Sequence, residues 1–154
     1  MISHHSVEQE LYRTGTMVFG TVGNSMKPLL SQGKTAVVVK AYSGDGSEKL
    51  KCGDVVLFRR GEKLIFHRIV QIENGGYGVC GDNRWRVEHG VTEDRILGVM
   101  TAYIKEGIEI PVTDAEYLEY VDGILRTRKN REFQGRIKQI KRIVEKFLPR
   151  RMQH

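Results

Sequence analysis

The strongest constraint on the fold is a rhythm of short β-favouring runs, broken by glycine-rich stretches, that fills residues 16–104. "TAVVVKAY", "VVLFRR", "LIFHRIVQI", "YGVC" and "RILGVMTAYI" alternate with "SGDGSEKLKCGD", "GEK", "ENGG" and "GDNR". Val, Ile and Phe suit a pleated, half-buried backbone. Several such runs at close intervals argue for a compact, mostly antiparallel β domain. "FRRGEKL" and "IENGGYG" read as hairpin turns, because glycine accepts the positive φ a tight reversal needs. The expectation is a mostly β fold: a compact antiparallel domain over residues 1–112.

From Thr113 the periodicity changes. Thr113 or Asp114 can cap a helix through "AEYLEYVDGILR", with Leu118, Val121 and Leu125 three and four residues apart. Phe133, Ile137, Ile140, Val144 and Leu148 continue the spacing until Pro149 stops it. Residues 113–154 are therefore expected to form a helical C-terminal extension. Its charge sets it apart: residues 126–154 carry eleven Lys/Arg against two Glu, net +9, leaving the remainder at −3 of the chain's total of +6.

The 154 residues, 40% of them hydrophobic, suffice for one main domain with a core. The longest aliphatic run, "AVVV", is far shorter than the roughly 18 residues a membrane-crossing helix needs. Cys52 and Cys80 form no CxxC spacing, and "MISHHSVEQE" lacks the apolar stretch of a secretion signal. A reduced, cytoplasmic chain is expected. His4, His5, His89 and His154 show no metal-ligand spacing, and neither a metal nor a cofactor is expected.

Three segments can carry chemistry. In "GNSMKP", Ser25 follows Gly23, which permits an unusual φ, and precedes Pro28, which restricts the path beyond. A serine hydroxyl is a weak nucleophile and needs a nearby base and oxyanion donors; the Ser25 N–H is one candidate donor. In "LIFHRIVQI", His67 shares a strand face with Ile65 and Ile69, which reads either as a neutral general base or as a satisfied core histidine. In "GVCGDNRW", Asp82 can orient an imidazole, or with Asn83 can simply bond its own turn. Arg84 and Trp85 follow that turn and can border a cleft.

In order, "GNSMKPLL", "LKCGDVVLF", "LIFHRIV", "GVCGDNRW" and "RILGVM" resemble the successive boxes of the type I signal peptidase and SOS-repressor (LexA-like) serine peptidase superfamily. His67 followed by Arg68 is similar to the branch that pairs serine with histidine, found in endoplasmic-reticulum and archaeal-type signal peptidases. The resemblance implies Ser25 as nucleophile, His67 as base and Asp82 as the first acidic residue of its box. The family's second Asp falls near Glu88, and Gly23 stands where many signal peptidases place a hydroxyl, leaving backbone donors or Asn24 for the oxyanion. Gly23, Asn24, Met26 and Pro28, around the serine, are expected to border a bound peptide.

The implied activity is that of a serine endopeptidase acting on a precursor or leader-type peptide. Two alternatives stay open. One is a catalytically inactive peptide-binding module. The other is a self-cleaving regulator, which sits poorly with the 24 residues before Ser25, where no helix-turn-helix pattern occurs. Arg136, Lys138, Lys141, Arg142 and Lys146 around the apolar stripe have the composition of an interfacial membrane anchor; the alternative is a helix packed on its own domain with a solvated basic face. Nucleic acid is not an expected partner, because aromatic residues suited to stacking are scarce there.

Overall fold

A computed structural model describes residues 4–148. In chain order these form α1 (His4–Thr14), β1 (Thr16–Gly20), β2 (Thr35–Ala41), β3 (Val55–Arg60), β4 (Lys63–Glu73), β5 (Gly76–Cys80), β6 (Glu88–Val91), a 3₁₀ turn (Glu93–Arg95), β7 (Ile96–Lys105), β8 (Ile108–Pro111) and α2 (Ala115–Phe147). The strands make one sheet in the order β1-β2-β7-β3-β4-β5-β6, with β8 added beside β7. Their pairings are antiparallel throughout. The mostly β architecture with a C-terminal helix is the one the glycine-punctuated runs predict.

β3 shows why the sheet holds together. Its "VVLF" is buried on both faces: Val55 and Leu57 enter one core cluster with Leu11, Val37, Val39 and Leu97, while Val56 and Phe58 enter a second with Ile69, Val79, Val91 and Ile96. A strand covered on both sides must be apolar at every position rather than alternating. Both expected hairpins close through two residues, Arg60 pairing Lys63 and Glu73 pairing Gly76, with Gly61 and Gly75 at positive φ.

Two elements have no strong periodicity in the sequence. α1 is short and polar, and it is anchored by Leu11, which is fully buried; Gly15 at positive φ ends it, its N–H donating to the Leu11 carbonyl at 2.8 Å. β8 follows a reversal at Glu106 and Gly107, both at positive φ.

α2 begins as expected at Asp114, whose carboxylate accepts from the Tyr117 N–H at 3.1 Å. It ends at Phe147, and Pro149 lies outside the described residues. Tyr117, in the first turn of this helical extension, is part of the first core cluster. No helix among the described residues is long and apolar enough to cross a membrane.

Candidate active site

Ser25 lies in the turn that leaves β1, where Gly23 takes a φ of +78° and the Lys27–Pro28 peptide is cis. The turn is clamped from outside by the loop after β5. The Asn83 N–H donates to the Ser25 carbonyl at 2.8 Å, Asn83 Nδ2 donates to the Asn24 carbonyl at 3.1 Å, and Arg84 Nη2 donates to Asn24 Oδ1 at 3.1 Å. Gly81 permits this approach: a Cβ there would stand 2.5 Å from the Ser25 carbonyl oxygen. The two loops are therefore pinned backbone to backbone at the serine.

His67 is supplied by β4, opposite Val56 of β3, and its ring lies 6.2 Å from that of Phe58. Its Nδ1 is buried and accepts or donates no hydrogen bond among the described residues. Burial lowers its pKa to about 4, the Arg60 charge acts in the same direction, and the Glu88 and Asp82 charges oppose it only in part. The imidazole is thus neutral at neutral pH, with the lone pair of one ring nitrogen free to take a proton.

Ser25 and His67 meet at one cavity of about 370 Å³, whose walls also include Phe19, Met26, Leu57 and Arg84. No hydrogen bond joins the two residues to each other. The Ser25 N–H is likewise unengaged by other described residues, whereas the Gly23 N–H is taken by Gln32 Oε1 at 3.0 Å. Of the donors the sequence suggests for an oxyanion, the one at Ser25 itself remains available.

The two sides of the cavity are sheet edges. Among the described residues β1 pairs only with β2, and Phe19 to Val22 at its end line the space. The first half of β4, Lys63–His67, pairs with β3 on one side, while its pairing to β5 begins only at Arg68. Leu64, Ile65 and Phe66 therefore present an unpaired backbone edge to the same cavity. A scan of known family models finds no match to the chain, and no curated protein matches it.

Several expected site residues sit elsewhere. Asp82 does not orient His67: its carboxylate accepts from Arg68 Nε at 2.8 Å and Nη2 at 2.7 Å and from the Tyr120 hydroxyl at 2.9 Å. Both partners of that ion pair are fully buried, so the guanidinium claims the carboxylate. Glu88 is no substitute, since it is paired to Arg60 at 2.5 Å and Arg95 at 3.6 Å. Of the residues around the serine, Gly23 and Met26 line the cavity; Asn24 faces a neighbouring depression with Lys27 and Lys34. Pro28 borders a third hollow, beside Tyr103 and Tyr120. Trp85 is absent from the cavity wall and packs against Gly135 of α2, under the Arg86 guanidinium. Cys80 is buried as a small strand residue, but Cys52 is exposed.

Beneath the site lies a hub that no motif of the sequence marks. Arg68 also donates to the Gly53 carbonyl at 2.7 Å and the Tyr117 hydroxyl at 3.0 Å. Burial works against its charge, yet the hydrogen bonds and charge of Asp82 outweigh that and raise its pKa. α2 then grips the loop carrying Asp82: Arg131 Nη2 donates to the Asp82 carbonyl at 2.7 Å, and Arg128 donates to the carbonyls of Arg84 and Trp85. The helix thus braces the loop that in turn braces Ser25. A signal was present, since a charged residue inside the apolar run "LIFHRIV" requires a buried counter-charge.

Proposed function

We propose that this protein is a serine endopeptidase that cleaves a peptide bond in a precursor or leader-type peptide through a Ser25–His67 dyad. The observation that carries the reading is the convergence of a backbone-clamped serine and a buried, neutral, unpartnered histidine on one cavity between two sheet edges. Because Nδ1 is buried, Nε2 is the nitrogen that takes the serine proton in this reading.

In this reading a peptide lies extended between β1 and the first half of β4, its backbone pairing with their open edges. Ser25 Oγ attacks the scissile carbonyl carbon as His67 takes its proton, and the Ser25 N–H stabilises the oxyanion. The intermediate then collapses, the C–N bond breaks and His67 returns the proton to the leaving amine. Water attacks the acyl-serine with His67 again as base. With a pKa of about 4, His67 is a weak base, and the fields of Glu88 and Asp82 are what stabilise its cation.

The test is cleavage of an unbiased peptide library read by mass spectrometry. Wild-type protein should yield discrete cleavages that vanish in Ser25→Ala and fall about 10²–10⁴-fold in His67→Ala. Absence of cleavage by wild-type protein rejects the reading. One observation favours a second reading, an inactive peptide-binding module: no carboxylate orients His67 and no hydrogen bond joins it to Ser25. Peptide retention without cleavage, unchanged in both variants, would identify that case.

A further inference from the structure

α2 presents two different faces. The domain-facing row consists of Tyr117, Val121, Arg128, Arg131, Gly135 and Gln139, which meet the core, Gly53, the Asp82–Trp85 loop and Arg86. This row is largely aromatic, basic or polar. The apolar stripe of the second half lies about 140° around the helix from it. There Phe133 is 60% exposed, Ile140 59%, Val144 50% and Phe147 84%. From Lys138 to Leu148 every residue is exposed, so the helix runs on beyond the domain with its apolar side uncovered by any described residue. This reverses the usual arrangement, in which an amphipathic helix buries its apolar stripe on its own core.

Charge identifies what covers it. Residues 136–148 hold five Lys/Arg and one Glu. Arg136 is paired with Glu132 at 2.6 Å, but Lys138, Lys141, Arg142 and Lys146 have no ion-pair partner among the described residues. A second copy of this stripe would bring Arg136 and Lys141 against their own kind, which is unfavourable at the flanks of a helix pair. An anionic lipid surface meets both requirements together: the stripe enters the acyl boundary, Lys141 beside it reaches the phosphates, and Lys138, Arg142 and Lys146 on the far side of the helix add longer-range attraction.

We infer that the exposed face of α2 from Phe133 to Leu148 is a docking surface for anionic phospholipid membranes. The helix lies in the interface rather than crossing it, and the sheet domain, held by the opposite face of α2, remains on the aqueous side. The inference goes beyond the peptidase reading and does not need it, since none of these residues lines the serine cavity.

The test uses the full chain carrying Ser25→Ala, alongside wild type, in flotation with vesicles of phosphatidylcholine alone or with about 30% phosphatidylglycerol. Both proteins should bind the anionic vesicles at least about tenfold more tightly than the neutral ones, and about 0.5 M NaCl should weaken the binding. Ile140→Asp with Phe147→Asp should abolish flotation while leaving the thermal transition unchanged, since both side chains are exposed. Lys141→Glu with Arg142→Glu should remove the preference for anionic lipid. The inference is overturned if wild type stays unbound, if the aspartate variant floats equally well, or if light scattering shows a dimer that the aspartate variant dissociates and that does not bind vesicles. A peptidase test that fails while flotation succeeds rejects only the catalytic reading.

Discussion

Replacing Asp82 with Ala separates two roles for its carboxylate. If the pair with Arg68 is its function, the substitution strands a guanidinium whose side chain has no solvent exposure, removing the acceptor of the 2.8 and 2.7 Å bonds. It also orphans the Tyr120 hydroxyl, which donates to the same carboxylate at 2.9 Å. Breaking a buried pair from one side costs about 3–5 kcal/mol, a large share of the roughly 5–15 kcal/mol available to a domain. Urea unfolding at neutral pH, followed by the fluorescence of Trp85, whose ring abuts Gly135, reads this directly. The double variant Asp82→Leu with Arg68→Met should recover part of the loss, because the unpaired charge is gone. Recovery stays partial, since the Gly53 carbonyl and Tyr117 hydroxyl also lose Arg68, at about 1–3 kcal/mol per orphaned group. A cost under about 1 kcal/mol for Asp82→Ala would refute the hub.

Two further predictions follow from the same geometry. Gly81→Ala places a Cβ 2.5 Å from the Ser25 carbonyl oxygen. It should slow acylation of Ser25 at least tenfold while costing about 1–3 kcal/mol of stability; acylation at the wild-type rate would show that the clamp does not position the serine. His67, with its pKa lowered from 6.5 to about 4, makes a pH-dependent contribution whose sign is fixed. Between those values the unfolded chain binds the proton and the folded one does not, so stability is lost as pH falls from about 6.5 toward 4. Going from about pH 7 to pH 5, wild type should lose roughly 2 kcal/mol more than His67→Leu in urea titrations; equal losses would contradict a buried neutral imidazole.

The parts of this molecule that were legible from the chain are those governed by local chemistry. The "VVLF" strand, the reversals at Gly61 and Gly75 and the cap at Asp114 each follow from a few adjacent residues. The positions of Ser25 and His67 on one cavity were anticipated through the ordered boxes, not through any spacing, because they are far apart in the chain and meet only when β4 folds beside the end of β1. The partner of Asp82 is not legible in the sequence, because the order of a carboxylate and a histidine says nothing of a stronger competitor, and Arg68, the next residue along the strand from His67, is that competitor. α1 escaped because a single buried Leu11 leaves no periodic trace. The face of α2 escaped for a subtler reason: periodicity locates an apolar stripe but not the side on which the domain lies.

Whether Ser25 and His67 act together is read from the rate at which a fluorophosphonate probe acylates Ser25 as a function of pH, in wild type and His67→Ala. Labelling should be confined to Ser25, slowed about 10²-fold or more in His67→Ala, and should decline in wild type only as pH falls toward the His67 pKa of about 4. Labelling indifferent to His67, or no labelling of Ser25 at any pH, would contradict it.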